Sequence, residues 1–255
     1  MMPLKGKVAL VTGAGSGIGR GIVRRLAESG AAVALGYMGS AEGVQETQNL
    51  LPKTTQSLLV EADIRSRDAV DSMLGQVAAA WGQLDIMVCN AGLYLDGAFI
   101  DFGVDDLNAL LQTNIIGTWN CAQAAARHMV NAGTEGCIIL ISSTQGYRAL
   151  KGCSAYALTK AALRSLGKSM AYELAAHNIR VNVVSPGAAF AAGNIPLMQD
   201  ADYRTHVENS IPLKRVADPL EVGDAVVYLA SDTAQYVTGT DLVVDGGLLL
   251  NGPQI

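Results

Sequence analysis

Residues 7–19 have the sequence KVALVTGAGSGIG. The apolar run Lys7–Val11 predicts a buried strand, and the spacing of the apolar residues over Ile18–Ser29 predicts a helix that ends before Gly30. A glycine-rich turn between a strand and a helix directs free backbone N–H groups and the positive end of the helix at an anion. The turn does not match the GxGxxG pattern, because Ile18 stands where the third glycine would be. Such a turn alone can also be purely structural.

The rest of the chain repeats this alternation of apolar strands and amphipathic helices. After the first strand and helix, the pattern predicts strands at Ala32–Leu35, Ser57–Val60, Leu84–Cys89, Cys137–Ile141, Arg180–Val184 and Asp241–Val244, and helices at Val44–Leu51, Arg67–Trp81, Asp105–Asn131, Tyr156–His177 and Pro219–Leu229. This order predicts an α/β fold, a doubly wound parallel sheet of about seven strands with helices on both faces. We find no linker or internal repeat, so we expect a single Rossmann-type domain over residues 1–255.

One long connection lacks this regularity. The segment from Gly187 to Lys214 shows little periodicity, and long connections in compact domains often cover a binding site. We therefore expect a substrate lid at about residues 188–214, with a plain surface loop as the alternative.

Composition narrows the class of protein. The net charge of −5 gives no reason to expect nucleic-acid or membrane partners, and no apolar run is long enough to span a bilayer. The start of the chain, Met1 to Val8, lacks the features of a secretion signal. The four cysteines and three histidines show no metal-binding spacing, so we expect no metal, reduced buried thiols and a cytoplasmic location.

A second group of residues carries acid–base chemistry. Tyr156 and Lys160 lie four residues apart and share one helix face, and Ser143 precedes Tyr156 by thirteen residues at the end of a predicted strand. Asn114 lies in the helix after the fourth strand. All four map to the carboxyl ends of strands, where open α/β sheets bind ligands. Ser143 lies in no GxSxG motif, which argues against a hydrolase, and we interpret Ser142 as a strand-end residue.

Taken together, these motifs resemble the short-chain dehydrogenase/reductase family. The glycine turn matches TGxxxGxG, Asn90-Ala91-Gly92 matches the NAG motif, with Cys89 in place of the commoner asparagine, and Asp245-Gly246-Gly247 fits near the end. The resemblance covers essentially Leu4 to Leu249. It implies that a nicotinamide dinucleotide is bound by Gly13, Ser16, Gly17, Ile18, Gly19, Tyr37, Ser40, Asp63, Ile64, Asn90, Ala91, Gly92, Tyr156, Lys160, Pro186 and Gly187.

The family's reaction interconverts a secondary alcohol and a ketone by hydride transfer. The resemblance implies Tyr156 as general acid and base, with a pKa lowered by Lys160 and by the oxidised nicotinamide. Lys160 would also bond the nicotinamide ribose, Ser143 would hold the substrate oxygen, and Asn114 would hold a water that links Lys160 to solvent.

The cofactor preference depends on the end of the second strand. An acidic residue there bonds the ribose 2′-hydroxyl of NAD, but the corresponding residue here is Tyr37. Ser40 can bond a 2′-phosphate, whereas Ser16 and Met38 stand where basic phosphate partners are usual; Arg65 is a possible substitute. We favour NADP over NAD.

Other departures concern the substrate. Ala191 replaces a threonine that usually contacts the nicotinamide carboxamide. The mostly apolar candidates for the substrate pocket suit a neutral ketone, a sugar-like or cyclic alcohol, or a small aromatic: Leu93, Tyr94, Leu95, Gln145, Tyr147, Leu150, Phe190, Ile195, Met198 and Tyr203.

Three alternatives remain at this point. The chain is similar both to glucose-dehydrogenase-like members and to 3-oxoacyl-carrier-protein reductases, although Thr134 and His177 stand where the latter carry arginines. The third is a non-catalytic dinucleotide-binding redox sensor. The resemblance also implies a homotetramer, built through alanine-rich faces of the two long helices (Ala122, Ala124, Ala125, Ala126; Ala157, Ala161, Ala162).

Overall fold

The computed structural model describes residues 2–190 and 199–250, and its centre is one parallel sheet. The seven strands lie in the order β3-β2-β1-β4-β5-β6-β7. Their bounds are β1 Val8–Thr12, β2 Ala32–Tyr37, β3 Ser57–Glu61, β4 Ile86–Cys89, β5 Gly136–Ile141, β6 Ile179–Pro186 and β7 Asp241–Val244. This is the doubly wound Rossmann-type sheet that the sequence predicts.

Helices cover both faces of the sheet. They are α1 Gly17–Glu28, α2 Glu42–Asn49, α3 Arg67–Trp81, α4 Val104–Leu110, α5 Thr118–Ala132, α6 Ser154–Leu174, α7 Ala201–Ser210 and α8 Pro219–Ala230. Alternate strand residues point to opposite faces, so each face of the sheet has its own apolar core. Leu10, Ile138 and Val183 pack with α3, α5 and α6, whereas Val11 and Ile139 pack with α1 and α8.

The strand order reverses between β1 and β4. Chain connections from these two strands leave in opposite directions, which opens a crevice at their carboxyl ends. Thr12 ends β1 and Cys89 ends β4, so the glycine turn and the NAG motif meet at this crevice.

The structure differs from the predicted elements in two places. The helix predicted over Asp105–Asn131 is interrupted by a π-helical segment, Leu111–Gly117, between α4 and α5. The predicted lid is not wholly irregular, since it contains helix α7, which no buried residue anchors and which therefore shows no apolar periodicity. The other boundaries agree to within a few residues, as fraying helix ends allow.

Candidate active site

The glycine turn and the NAG motif are bound to each other at the crevice. The Thr12 hydroxyl accepts hydrogen bonds from the backbone N–H groups of Asn90 and Ala91, both at 3.1 Å. The Asn90 amide donates back to the carbonyl groups of Thr12 at 2.9 Å and Gly13 at 3.2 Å. These hydrogen bonds therefore join the carboxyl ends of β1 and β4.

The glycine turn requires glycine and leaves room for an anion. Gly13 and Gly17 have φ of 68° and 48°, and a Cβ on Gly19 would collide with the Gly13 carbonyl. Helix α1 begins at Gly17 with no acidic residue in its first turn, and the Ser16 side chain does not cap it. Exposed N–H groups at an uncapped, acid-free helix start fit a pyrophosphate.

At the end of β2, the structure holds no acidic side chain in the expected position. Tyr37 is the last residue of β2 and is half-buried, and Ser40 is exposed, with its hydroxyl accepting from the Glu42 N–H at 3.3 Å. The guanidinium of Arg65 makes a bidentate pair with Asp63 at 2.7 and 2.9 Å. This pair lowers the pKa of the Asp63 carboxyl. The suggestion that Arg65 substitutes as a phosphate partner is therefore not supported.

Ile64, beside Asp63, is held from the opposite side of the crevice. The amide of Asn120 on α5 donates to the Ile64 carbonyl at 3.1 Å. The Ile64 side chain lies so close to Gly117 that a Cβ there would be 2.6 Å away. This packing fixes the loop after β3 against the π-helical segment.

Asn114 lies in the π-helical segment and is 1% exposed. Its Oδ1 accepts from the Leu93 N–H at 2.7 Å, and its Nδ2 donates to the Leu93 carbonyl at 2.9 Å and to Thr159 at 3.1 Å. The segment thereby ties the chain after the NAG motif to α6. Single π-helical turns inside helices frequently occur at functional sites.

Lys160 is buried in α6, where its ammonium donates to the Ile141 carbonyl at 2.9 Å. Burial lowers the pKa of Lys160 to about 8. A Cβ on Gly92 would lie 3.5 Å from its Nζ and 3.3 Å from Oδ1 of Asn114, so both groups border the space beside Gly92.

Tyr156 lies next to Lys160, whose Nζ is 5.5 Å from the centre of the tyrosine ring. Burial raises the pKa of Tyr156 to about 12, and a hydrogen bond from the Ser143 hydroxyl, which favours the phenolate, opposes that rise. Ser143 is therefore within bonding reach of the phenol. Among the chain's own residues, burial has the largest effect on this pKa, and a lowering by Lys160 together with the oxidised nicotinamide stays a prediction.

Tyr94 forms one wall of this site. Its ring meets the Tyr156 ring edge to face, with centres 4.9 Å apart, and its hydroxyl lies 3.3 Å from the Cys153 sulfur. Burial and the neighbouring Cys153 raise the pKa of the Tyr94 phenol.

Pro186 ends β6, and Gly187 follows it at the same end of the sheet. The Gly187 N–H donates to the Val244 carbonyl at 2.9 Å, and a Cβ on Gly187 would lie 2.8 Å from Asp245. The Asp245 carboxylate accepts from the N–H groups of Gly247 and Leu249, both at 2.8 Å. The DGG motif thus shapes the turn that supports the Pro186-Gly187 segment.

Four residues that hold the candidate site in place were not predicted as such from the sequence. Ser142 does more than end a strand, since its buried hydroxyl donates to the Lys160 carbonyl at 2.8 Å. The Thr159 hydroxyl accepts a hydrogen bond from the Asn114 amide, and the Asn120 amide donates one to the Ile64 carbonyl. The Arg20 guanidinium donates to the Gly15 carbonyl at 2.8 Å. Only the position of Thr159, next to Lys160, gives any signal in the sequence; the other contacts depend on the tertiary fold.

Two of the predicted pocket residues contact catalytic candidates directly. Leu93 contacts Asn114 through its backbone, and Tyr94 contacts Tyr156, so both border the site. The structure also describes Leu95, Gln145, Tyr147, Leu150, Phe190 and Tyr203. Ala191, Ile195 and Met198 lie outside the described residues.

Comparisons with known proteins match nearly the whole chain. The family model described as enoyl-(acyl carrier protein) reductase matches residues 13–249. The chain is 39% identical to the oxidoreductase UcpA of Escherichia coli (strain K12) over 257 residues, covering 98% of this chain and 97% of UcpA. A solved short-chain type dehydrogenase/reductase from Mycobacterium marinum is 38% identical, with a TM-score of 0.90 and 98% of each chain covered.

The chain belongs to the short-chain dehydrogenase/reductase family. It is an oxidoreductase that acts on CH–OH groups with a nicotinamide dinucleotide. A further similar structure is a gluconate 5-dehydrogenase from Burkholderia cenocepacia J2315 in complex with NADP and tartrate, 33% identical, with a TM-score of 0.92 and 98% of each chain covered. Within the described residues, no helix has the length and apolar character needed to cross a membrane.

Proposed function

We propose that this short-chain dehydrogenase/reductase interconverts a secondary alcohol and a ketone with NADP, and that Asn114, Ser143, Tyr156 and Lys160 perform the chemistry. The single observation that carries the proposal is the joint position of Ser143, Tyr156 and Lys160 at the carboxyl edge of the sheet, beside an acid-free helix start. Bound at this edge, the dinucleotide supplies or accepts the hydride.

Proton transfer falls to Tyr156. In ketone reduction its phenol gives a proton to the substrate oxygen, and in alcohol oxidation its phenolate takes one back. The Ser143 hydroxyl, which lies near the phenol, would hold the same substrate oxygen and stabilise the charge that develops on it. Tyr94 packs edge to face against Tyr156 and forms one side of the site.

Lys160 connects the phenol to the cofactor and to solvent. Its ammonium would bond the ribose hydroxyls on the nicotinamide side, while the Ile141 carbonyl holds it in place. The space beside Gly92, bordered by Lys160 and Asn114, suits a water that passes protons between Lys160 and solvent. The Asn114 amide, bonded to Leu93 and Thr159, would fix one side of that water site.

The direct test is a panel of ketones and secondary alcohols, followed by absorbance of the reduced cofactor with both NAD and NADP. The panel includes sugar acids, cyclic alcohols and a 3-oxoacyl thioester. Turnover of at least one ketone–alcohol pair is the expected result. Cofactor binding without turnover of any carbonyl compound would favour a dinucleotide sensor instead.

Gln145 narrows the substrate class. Its side-chain Oε1 is buried and has no hydrogen-bond partner within residues 2–190 and 199–250. We propose that this acceptor, two residues after Ser143, faces the substrate and would bind a second hydroxyl near the reacting carbon, as in sugars and sugar acids. We therefore expect polyhydroxylated compounds to be better substrates than simple ketones of equal size.

Ser143→Ala should shift the pH dependence of alcohol oxidation to higher pH. Oxidation needs the phenolate, so its rate rises as pH approaches the pKa of Tyr156, whereas reduction uses the phenol and stays flat across the neutral range. Because the Ser143 hydrogen bond lowers that pKa, its loss raises it. The measurement is kcat/KM for oxidation against pH. Ser154→Ala, an exposed serine at the start of α6, is the control and should leave the profile unchanged; an unshifted Ser143→Ala profile contradicts the assignment.

Tyr37→Asp should reverse the cofactor preference. A carboxylate at the end of β2 repels a 2′-phosphate and bonds a 2′-hydroxyl, so we expect kcat/KM with NADP to fall about 10- to 100-fold relative to NAD. Tyr37→Asn is the matched control, because asparagine has the same size as aspartate but carries no charge. If both variants behave alike, the side chain at residue 37 does not select the cofactor.

For assembly we propose a homotetramer through the surfaces of α5 and α6. Ala124 and Ala125 are buried in the chain's own core, whereas Ala122 and Ala126 line a groove between α5 and α6, and Ala161 and Ala162 are exposed. Exposed apolar side chains on the same helices also support the proposal: Trp119, Val130, Leu158 and Tyr172. Sedimentation equilibrium tests it.

We also propose that residues 1–255 form a single domain, with a lid over the substrate at about 188–214. The four cysteines are unpaired and buried, which supports a reducing, cytoplasmic location.

A further inference from the structure

Helix α6 carries a second cation one turn beyond Lys160. The guanidinium of Arg164 donates from Nη1 to the Gly146 carbonyl at 2.7 Å and from Nε to the Asp241 carboxylate at 2.7 Å. It also lies over the Tyr147 ring, with Cζ 3.2 Å from the ring centre. Arg164 thus holds both the turn that follows Ser143 and the aromatic side chain at the end of that turn.

Asp241 extends this contact to the other side of the site. It is the first residue of β7, its side chain is 8% exposed, and its Oδ1 accepts from the Ser185 hydroxyl at 2.6 Å. Ser185 immediately precedes Pro186-Gly187. One carboxylate therefore joins the turn after Ser143, through Arg164, to the segment expected beside the nicotinamide.

We propose that Arg164 and Asp241 are a pair of positioning residues that set the distance between the Ser143 turn and the Pro186-Gly187 segment, and that hold Tyr147 as a wall of the substrate pocket. This inference rests on the proposed function. A largely buried ion pair contributes little net stability compared with apolar side chains of the same size, so stability alone gives no reason for it. A reason for the pair is that it fixes the geometry of the site, because a displacement of reacting groups by about 1 Å can lower the rate about 100-fold.

The planar fork of arginine is needed for this arrangement. Arg164 bonds two acceptors in different directions while stacking on a ring, and a lysine ammonium cannot do all three. We therefore expect Arg164→Lys to retain part of the function that Arg164→Met loses.

The experiment is a double-mutant cycle on Arg164→Met and Asp241→Asn. Each single variant should lower kcat for the best ketone about 10- to 100-fold while KM for the dinucleotide stays near that of the wild type. The double variant should be no slower than the worse single variant, because both changes remove the same connection. Effects that simply multiply would show that the two residues act independently and would overturn the proposal.

A second readout does not depend on turnover. Hydrogen exchange of the backbone amides in residues 143–148 should accelerate in both single variants, because Gly146 and Tyr147 lose their anchor, while exchange in α3 stays unchanged. The matched control is Arg67→Met with Asp71→Asn, an ion pair on α3 away from the site, which should leave kcat and exchange at 143–148 unaltered.

These readouts distinguish failure of the proposed function from failure of the positioning role of Arg164 and Asp241. A wild type without turnover defeats the proposed function, and the exchange experiment still tests the Arg164–Asp241 connection. An active wild type whose variants keep full kcat and normal exchange at 143–148 defeats the positioning role alone. If Arg164→Met does not fold, Arg164→Lys and Ser185→Ala weaken the same connection more gently, and unchanged kcat and exchange in both would also overturn it.

Discussion

Tyr156→Phe is expected to lower kcat for both ketone reduction and alcohol oxidation by about 10²- to 10⁴-fold, the range that a lost general acid–base group produces. The change removes only the hydroxyl, so the ring still packs on Tyr94 and the fold is kept. Dinucleotide affinity, measured by fluorescence titration of the reduced cofactor, should stay within a few-fold of the wild-type value.

Tyr172→Phe is the matched control, since Tyr172 lies on the same helix but is 89% exposed. It should retain wild-type turnover. A Tyr156→Phe enzyme that keeps most of its rate would remove the phenol from the mechanism, and one that loses cofactor affinity as well as rate would point to a structural role.

Lys160→Met is expected to abolish measurable turnover and yet to stabilise the protein. In the folded state, burial lowers the pKa of Lys160 from 10.5 to about 8, a penalty of about 3 kcal/mol on the charged form. Losing the hydrogen bond to the Ile141 carbonyl costs about 1 kcal/mol in return. The free energy of unfolding at about pH 7 should therefore rise by roughly 1–2 kcal/mol.

The pH dependence of this gain gives the sign of the effect. Below a pH of about 8 the buried lysine is charged and the penalty is complete, and it is relieved as pH rises from about 8 to about 10.5, where only the unfolded chain still binds the proton. Urea unfolding at about pH 7 and about pH 10 should show a larger gain at the lower pH. Lys168→Met, an exposed lysine on the same helix, serves as control. A variant less stable than the wild type at the lower pH contradicts the account.

Much of the fold and the site could be predicted because the information is local. The run of apolar residues before Thr12, the glycines after it and the four-residue spacing of Tyr156 and Lys160 are all set within single elements. Parallel strands then bring their carboxyl ends to one edge, which places residues from distant motifs together.

Other features depend on the tertiary fold and were not predictable. Arg164 and Asp241 are 77 residues apart, and nothing in either segment indicates that they meet. The π-helical segment around Asn114 has an ordinary helical sequence pattern, and nothing in that pattern indicates the contacts of Asn114 with Leu93 and Thr159. Helix α7 packs no buried side chain, so it lacks the periodicity by which helices are recognised.

The electrostatics of the chain alone depend on burial, which the sequence does not show. The spacing of Tyr156 and Lys160 suggests that an ammonium lowers the pKa of the phenol, but burial raises it, and Lys160 itself loses basicity for the same reason. Similarly, the sequence suggests Arg65 as a phosphate partner, but its guanidinium is paired with Asp63 two residues away. Desolvation and side-chain pairing are properties of the packed chain.

The most direct test of the central claim is a crystal structure of this protein with NADP bound. We expect the pyrophosphate to lie on the N–H groups at the start of α1, and the Tyr156 hydroxyl and the Lys160 ammonium both to face the ribose on the nicotinamide side. A dinucleotide bound elsewhere, or a nicotinamide ring out of reach of the Tyr156 hydroxyl, would contradict the central claim.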